Sequence, residues 1–259
     1  MPAPPIDLGH LRDVARRAGE AVLEVYARDF EVEFKADESP LTEADQRSNE
    51  VIVAALQARY PEIPIISEEV RATDYSERAG WESCWLIDPL DGTKEFVKKN
   101  GEFTINIALI HCGEPVAGVV YRPVTGAMYS AEMGRGAYLE DAGGQPVRLE
   151  NTKHYSNEQQ ITVVASRSHL SQEVEDFVNE LRAAGKQVEF QSAGSSLKLC
   201  LVAEGKATVY PRFAPTMEWD TAAAHAIVNE AGRQVLNRET GEPLTYNKEN
   251  LLNPWFIVE

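Results

Sequence analysis

Trp85-Leu86-Ile87-Asp88-Pro89-Leu90-Asp91-Gly92-Thr93-Lys94-Glu95-Phe96 is the stretch on which the reading of this chain turns. A short apolar run leads into two carboxylates three residues apart, then a glycine and a hydroxyl. Such a run predicts a buried strand whose end opens into a tight polar loop. Pro89 fixes its own φ and biases Asp88 away from helix, so the two acids do not share a helix face. Gly92 permits close approach of the backbone to a ligand. Two aspartates in one loop repel each other unless a cation sits between them, the first sign of a metal site.

Upstream, residues 63–67 read as an apolar strand ending in Glu68-Glu69. Two neighbouring strands that both end in acids would gather carboxylates at one sheet edge, although adjacent glutamates after a strand are ordinarily solvated surface. Residues 71–82 read as an exposed, charge-rich connection. Residues 7–27 place Leu11, Val14, Ala18, Val22 and Val25 at helical spacing with a polar opposite face. Residues 31–35 alternate as a short strand. Asp37 to Thr42 form a turn-rich lead into a second helix, which runs to about Tyr60 and stops at Pro61. Thr42 suits the N-cap of that helix, and Asp45 at its third position completes a capping box.

Downstream, residues 103–110, 115–122, 127–132 and 136–139 read as successive strands punctuated by Gly113, Gly126 and Gly134, the spacing of an antiparallel meander. Residues 141–145 form a turn, and the polar stretch 150–159 suits a connection between lobes. Strands then alternate with helices. A strand at 161–165 precedes Ser166-Arg167-Ser168-His169, and Ser171 caps a helix at 172–184 that Gly185 ends. A strand at 188–190 and the segment Ser192-Ala193-Gly194-Ser195-Ser196 lead into a helix through Ala203. A strand at 207–210, a loop at 211–215 and a helix at 221–231 started by Asp220 come next. Val235 and residues 255–258 are the last strands. This alternation predicts an α/β lobe with phosphate-friendly loops at strand ends. The expected division is residues 1–150, an N-terminal α+β lobe with most of the acids, and 151–259, a C-terminal α/β lobe with Asp220.

The chain has 259 residues, enough for two modest lobes with real cores. A net charge of −16 argues against a nucleic-acid partner, which needs a basic footprint. It leaves room for a small anionic substrate, because bound divalent cations reverse the local sign. Cys84, Cys112 and Cys200 lie far apart with no CxxC spacing, so neither a disulfide framework nor structural zinc is expected and a reducing compartment fits. The start of the chain carries no signal pattern, and no apolar run approaches the ~20 residues of a membrane span. The cytoplasm is the expected location.

Glu68, Asp88, Asp91 and Asp220 together are an oxygen donor set of the kind hard divalent cations take. Each has an ordinary role as well: Asp220 satisfies a helix N-cap by position alone, and Asp88 and Asp91 suit a solvated turn. An EF-hand loop would alternate its acids, which these do not.

In order, Ile66-Ser67-Glu68-Glu69, the segment Trp85 to Thr93, and Trp219-Asp220 resemble the inositol monophosphatase superfamily of lithium-sensitive, magnesium-dependent phosphatases. The Asp-Pro-Leu-Asp-Gly-Thr element is highly specific to that group, and the match runs over nearly the whole chain. Within it, Lys94-Glu95-Phe96, Ser166-Arg167-Ser168-His169, Gly194-Ser195-Ser196-Leu197-Lys198, Tyr210-Pro211-Arg212 and Glu218-Trp219-Asp220 are most similar to the bacterial CysQ-type 3′(2′),5′-bisphosphate nucleotidases.

The resemblance implies a layered αβαβα sandwich. It implies that Glu68, Asp88, the backbone carbonyl of Leu90, Asp91 and Asp220 hold cations, two or three magnesium ions per active site. Asp45 would bind an extra cation through water and, paired with Thr93, orient and deprotonate the attacking water. Gly92 and Thr93 would offer backbone N–H groups and a hydroxyl to the scissile phosphate. Ser195, Lys198, Arg212 and His169 would contact the nucleotide and its second phosphate, and Glu218 the sugar. The implied reaction converts adenosine 3′,5′-bisphosphate to AMP and phosphate, with the sulfated form as a further substrate, and clears a by-product of sulfate assimilation. Relatives of this type are described as monomers and as homodimers. Some are assigned to the inner face of the cell membrane, although no anchor or basic amphipathic helix supports that here.

The chemistry also follows without the family. Phosphate monoesters hydrolyse extremely slowly uncatalysed. No cysteine or histidine nucleophile motif is present, and metal-activated water is the remaining common route. Four carboxylates carry about −4, which two magnesium ions balance. A bisphosphate also needs cationic partners away from the metals, for which Lys198 and Arg212 are the candidates, against the commoner fate of such residues as plain surface charge. The alternatives are an inositol or sugar monophosphatase on the same scaffold, and a catalytically silent nucleotide- or metal-binding paralogue, which need not retain all six of Glu68, Asp88, Asp91, Thr93, Asp45 and Asp220.

Overall fold

The computed structural model describes residues 2–34, 40–70, 73–151, 154–165 and 171–259. Helix α1 (Leu8–Tyr26) buries the stripe read from its spacing, and Asp7 caps it by accepting from the His10 N–H at 3.1 Å. Strands β1 (Val32–Phe34) and β2 (Pro40–Thr42) pair antiparallel ahead of α2 (Glu43–Arg59). That helix starts on the expected capping box, with Thr42 accepting from the Ala44 N–H and Asp45 accepting from the Thr42 N–H.

Next come β3 (Ile65–Ser67), α3 (Tyr75–Arg78), β4 (Ser83–Asp91), α4 (Thr93–Val97), β5 (Thr104–His111), β6 (Glu114–Arg122), β7 (Ala127–Glu132), β8 (Gly136–Glu140) and β9 (Val147–Leu149). Their strands form one seven-stranded sheet in chain order, parallel between β3 and β4 and antiparallel thereafter. Side chains alternate across it as strand geometry requires. Trp85, Ile87, Ile107 and Val119 face α1 and α2, while Cys84, Leu86, Ala108 and Val120 face the opposite way.

A 3₁₀ turn (Tyr155–Asn157) leads to β10 (Gln160–Ala165), α5 (Gln172–Ala183) and β11 (Gln187–Ser192), which lies parallel to β10. Then follow α6 (Leu197–Ala203), β12 (Tyr210–Arg212), α7 (Glu218–Glu230), β13 (Val235–Asn237) and β14 (Phe256–Val258). The last strands make a small sheet ordered β12-β14-β13, and a Val163–Val209 bridge joins it to β10 and β11. Helices α6 and α7 fill the space between the large sheet and these small ones. On the outside, α5 packs Val174, Phe177, Val178 and Leu181 against Ile161, Val163 and Val209. The layers are therefore α/β/α/β/α, as expected.

Contact between α7 and the large sheet is close: a Cβ on Gly118 of β6 would lie 2.1 Å from the Ala223 carbonyl oxygen. Because the second face of that sheet has to be covered, one apolar cluster runs from Ile66 to Val258 across the expected boundary at 150.

Four expectations shift. Strand β4 does not open into a loop after Ile87 but continues to Asp91, with a register shift between Asp88 and Asp91. Pro89 has no N–H to give the ladder, which is why the pairing skips there. The connection at 71–82 is not simply exposed, since it contains α3 and the buried Arg78. The strand placed at 207–210 lies instead at Tyr210–Arg212. Asp220 does not precede its helix but is the third residue of α7, where it accepts from the Met217 N–H at 2.8 Å.

Candidate active site

The end of β4 is held in place by α2. Ser48, buried on that helix, donates to the Pro89 carbonyl at 2.7 Å, and Ser67 donates to Asn49 at 2.7 Å, tying β3 to the same helix. Gly92 follows with φ +93°, a conformation open to glycine at little cost, and a Cβ there would meet the Glu102 carbonyl oxygen at 3.2 Å. The turn delivers Thr93 to the start of α4, where its hydroxyl lies 3.3 Å from both Asp45 Oδ1 and the Leu90 carbonyl oxygen. Asp45 therefore serves in two places at once. Its Oδ2 accepts from the Thr42 N–H at 2.8 Å and the Thr42 hydroxyl at 2.7 Å.

The acids sit at the same end of the sheet. Glu68 follows β3 directly, its N–H donating to the Ile87 carbonyl at 3.1 Å. Three aspartates each have one oxygen fixed by a backbone N–H: Asp88 by Leu90 at 3.0 Å, Asp91 by Ser196 at 2.6 Å and Asp220 by Met217 at 2.8 Å. Burial, then the charges of Glu68, Asp91 and Asp220, pushes the Asp88 carboxyl well above the usual carboxylate range. Burial followed by the charge of Asp91 raises Asp220 to about 8. Burial raises Asp91 as well, against the opposing pull of Lys198 and of hydrogen bonds from Ser195, Ser196 and Asn106.

Buried carboxylates that oppose one another's ionisation suit an oxygen-seeking divalent cation, which would restore their charge. Among the described residues no three His, Cys, Asp or Glu side chains are already arranged about one point to hold an ion. The donor set still fits magnesium, because that ion usually takes one or two carboxylates and completes its shell with water and substrate phosphate.

A cavity of about 350 Å³ opens on Asp91, Gly92 and Asp220 and is lined also by Ser195, Lys198 and Arg212. Its walls come from both halves of the chain. Ser195 has φ +54° and pairs its hydroxyl with Thr104 at 2.6 Å. The Lys198 ammonium donates to the Ser195 carbonyl at 2.8 Å and lies 5.7 Å from the Tyr210 ring centroid. Burial lowers its pKa to about 8, with Asp91 pulling the other way. Arg212 donates to the Pro215 carbonyl at 3.0 Å, and its Nε is buried with no hydrogen-bond partner among the described residues.

The structure thus brings together Asp45 with Thr93, and Asp88, Asp91 and Asp220 with Glu68, Ser195, Lys198 and Arg212. His169 lies outside the described residues. Glu218 was expected at the sugar; its carboxylate is buried and accepts from the N–H groups of Asn247 and Lys248 and from the Lys248 ammonium. Sequence reasoning missed Asn106, which stands opposite Asp88 on β5, donates to Asp91 at 3.3 Å and accepts from Thr104 and Ser196. An amide inside the otherwise apolar run 105–110 was the available signal. Lys98 and Tyr210, which also line the cavity, carried no such signal.

The model of the inositol monophosphatase family matches residues 8–254. The chain is 45% identical over 248 residues to the 3′(2′),5′-bisphosphate nucleotidase CysQ of Salmonella typhimurium, covering 95% of this chain and 96% of that one. Among solved structures it is similar to CysQ from Bacteroides thetaiotaomicron, with 47% identity, a TM-score of 0.85, and coverage of 97% and 96% of the two chains. The extragenic suppressor protein suhB from Bartonella henselae shares the fold at 24% identity and a TM-score of 0.76, over 96% of this chain and 92% of that one.

Proposed function

The chain belongs to the inositol monophosphatase family, and from that membership we propose that it is a 3′(2′),5′-bisphosphate nucleotidase acting on adenosine 3′,5′-bisphosphate. The products are AMP and phosphate, and the sulfated nucleotide is a second substrate. The role is clearance of this by-product of sulfate assimilation. One observation carries the choice of substrate: a single cavity is lined by acids at Asp91 and Asp220 and by cations at Lys198 and Arg212. A monophosphate has no use for the cations, whereas a second phosphate does.

Enzymes of this family are metal-dependent phosphatases that generally use magnesium. Glu68, Asp88, the Leu90 carbonyl, Asp91 and Asp220 would hold two or three such ions, which neutralise phosphate charge and acidify water when bound. The remaining work falls to side chains. Thr93 takes a proton from the attacking water as its own passes to Asp45 Oδ1, 3.3 Å away. The N–H groups of Gly92 and Thr93 receive the scissile phosphate. The water oxygen joins phosphorus in line as the bond to the 3′ oxygen breaks, and that oxygen leaves as the 3′-hydroxyl of AMP, taking its proton from solvent water. Lys198 and Arg212 pair with the second phosphate, and Ser195 fixes the segment that carries Lys198. His169 stays a proposed contact to the nucleotide.

In this reading residues 1–150 supply the attacking and ion-holding groups, and residues 151–259 supply Asp220 and the nucleotide contacts. Among the described residues no helix is long and apolar enough to cross a membrane. Three free cysteines, two of them buried, suit a reducing compartment, and we place the protein in the cytoplasm.

Phosphate release in magnesium from adenosine 3′,5′-bisphosphate, AMP and inositol 1-phosphate tests the proposal. Strong preference for the bisphosphate is expected. Preference for inositol 1-phosphate would move the chain to the inositol phosphatases, and no release from any of the three would make it a silent paralogue.

A further inference from the structure

The Glu218 carboxylate accepts from the Asn247 N–H at 2.6 Å, the Lys248 N–H at 3.1 Å and the Lys248 ammonium at 2.5 Å. Arg78, only 3% exposed, grips the same turn. It donates to Asn247 Oδ1 at 2.7 Å, the Lys248 carbonyl at 3.1 Å and the Glu249 carbonyl at 3.3 Å, and its own carbonyl accepts from Asn247 Nδ2 at 2.9 Å. Asn247 has φ +60°, a left-handed conformation that asparagine adopts more readily than most residues other than glycine. The chain then runs back along the start of α7. The Glu218 N–H donates to the Leu251 carbonyl at 2.9 Å, Met217 forms a bridge with Leu252, and Asn253 Nδ2 donates to the Met217 carbonyl at 2.8 Å and to Thr221 at 3.0 Å.

The contacts of residues 247, 248 and 251–253 meet at one helical turn, the turn that carries Asp220, while Arg78 braces the loop at 247–249. The Met217 N–H that orients Asp220 Oδ2 belongs to the same turn. A buried carboxylate with three donors is an expensive arrangement unless complete, so the turn has one well-determined geometry. We infer that Glu218 is a positioning residue for the cation site: with Arg78 and residues 247–253 it fixes the first turn of α7 so that Asp220 presents its carboxylate beside Asp91. The inference rests on the reading of Asp220 as an ion ligand given above. It assigns to Glu218 no contact with the sugar.

Calorimetric titration of the full chain with magnesium alone, alongside thermal unfolding and steady-state kinetics, tests it. Glu218→Gln keeps the volume and removes the charge. It is expected to weaken magnesium binding about tenfold, the scale on which groups that orient a ligand act. At saturating magnesium its kcat returns to within about twofold and its KM for the bisphosphate is unchanged. Val228→Ala, buried farther along the same helix, loses stability without changing magnesium binding. Lys248→Met removes one of the three donors and shifts magnesium binding the same way by about threefold, which decides the matter should Glu218→Gln not fold.

Magnesium binding by Glu218→Gln equal to that of the parent, with only a lower Tm, would reduce Glu218 to a purely structural role. A raised KM with unchanged magnesium binding would restore the sugar contact and overturn the inference. Asp220→Asn separates the premise. Normal magnesium binding there removes the ligand role and the inference with it, whereas weak binding there with normal binding in Glu218→Gln defeats the positioning role alone.

Discussion

Thr93 Oγ1 lies 3.3 Å from Asp45 Oδ1, while the other oxygen of that carboxylate holds the N–H and hydroxyl of Thr42 at the start of α2. In the proposed mechanism, stability and proton transfer thus draw on separate oxygens of one side chain. Asp45→Asn keeps an acceptor for Thr42 but has no carboxylate to take a proton. Its turnover is expected to fall by about 10²–10³, the range for loss of a general base. Its unfolding free energy should change by less than about 1 kcal/mol. Phosphate-release kinetics and urea unfolding on the same preparation check both halves, and near-normal turnover would exclude Asp45 as the proton acceptor.

Removing the ions has a predictable effect. Chelation is expected to abolish phosphate release, and magnesium to restore it. Asp91→Asn should lower turnover about 10³-fold, because a neutral amide neither balances an ion nor accepts from Ser196 and Asn106 as strongly. Circular dichroism guards against misfolding, and a folded variant with full turnover would sink the metal mechanism.

Lys198→Met with Arg212→Ala separates the two phosphates. Methionine keeps the buried stem of Lys198, whose charged end is the part in question. The loss of two charge-assisted contacts should cost the bisphosphate about 10²-fold or more in kcat/KM. A simple monophosphate should lose less than about fivefold. Equal losses on both substrates would remove Lys198 and Arg212 from the second-phosphate role.

His225 makes stability depend on pH. It is fully enclosed on α7, 2.8 Å from the Tyr246 hydroxyl, and burial holds its pKa down to about 3. An unfolded histidine titrates near ~6.5. Between these values the unfolded chain binds the proton and the folded chain does not. The contribution is therefore complete above ~6.5 and declines as pH falls toward the folded value, by up to ~1.4 kcal/mol per unit. His225→Gln should flatten the stability profile between pH 4 and 6 by about that slope. Parallel profiles for parent and variant would show that His225 titrates alike in both states.

Gly118→Ala tests the contact between sheet and helix. Its Cβ would lie 2.1 Å from a backbone atom of α7, which no rotamer change relieves. A loss of about 3 kcal/mol is expected by denaturant unfolding. An unchanged midpoint would mean that α7 can shift freely along the sheet.

What could be read from the sequence was what is local. The acids of β4, the capping box at Thr42 and the alternation of the meander all depend on neighbours within a few residues. The pairing of β3 with β4, and with it the approach of Glu68 to Asp88, followed from two apolar runs ending in acids. The contacts of Arg78 and Glu218 were not legible because their partners lie far along the chain: Arg78 meets Asn247, 169 residues away, and nothing near either residue signals the other. Asp220 was placed at the helix start because an aspartate there is usually the cap. The structure has it capping from the third position, a pattern that sequence spacing alone does not separate from the first. Asp45 was read both as a cap and as a partner of Thr93, and the geometry supports both, one oxygen for each.

The hydrogen bond from the Ser196 N–H to Asp91 closes a loop of 105 residues, and Asp220 stands later still in the chain. Loop closure of that length is costly, while the hairpins between β4 and β8 need only short-range pairing. A growing chain can therefore complete its large sheet well before α7 has been synthesised. During that interval Asp88 and Asp91 are present without the Ser196 N–H or the Asp220 carboxylate. The acids of the candidate site are therefore gathered only after the scaffold that carries two of them is already built.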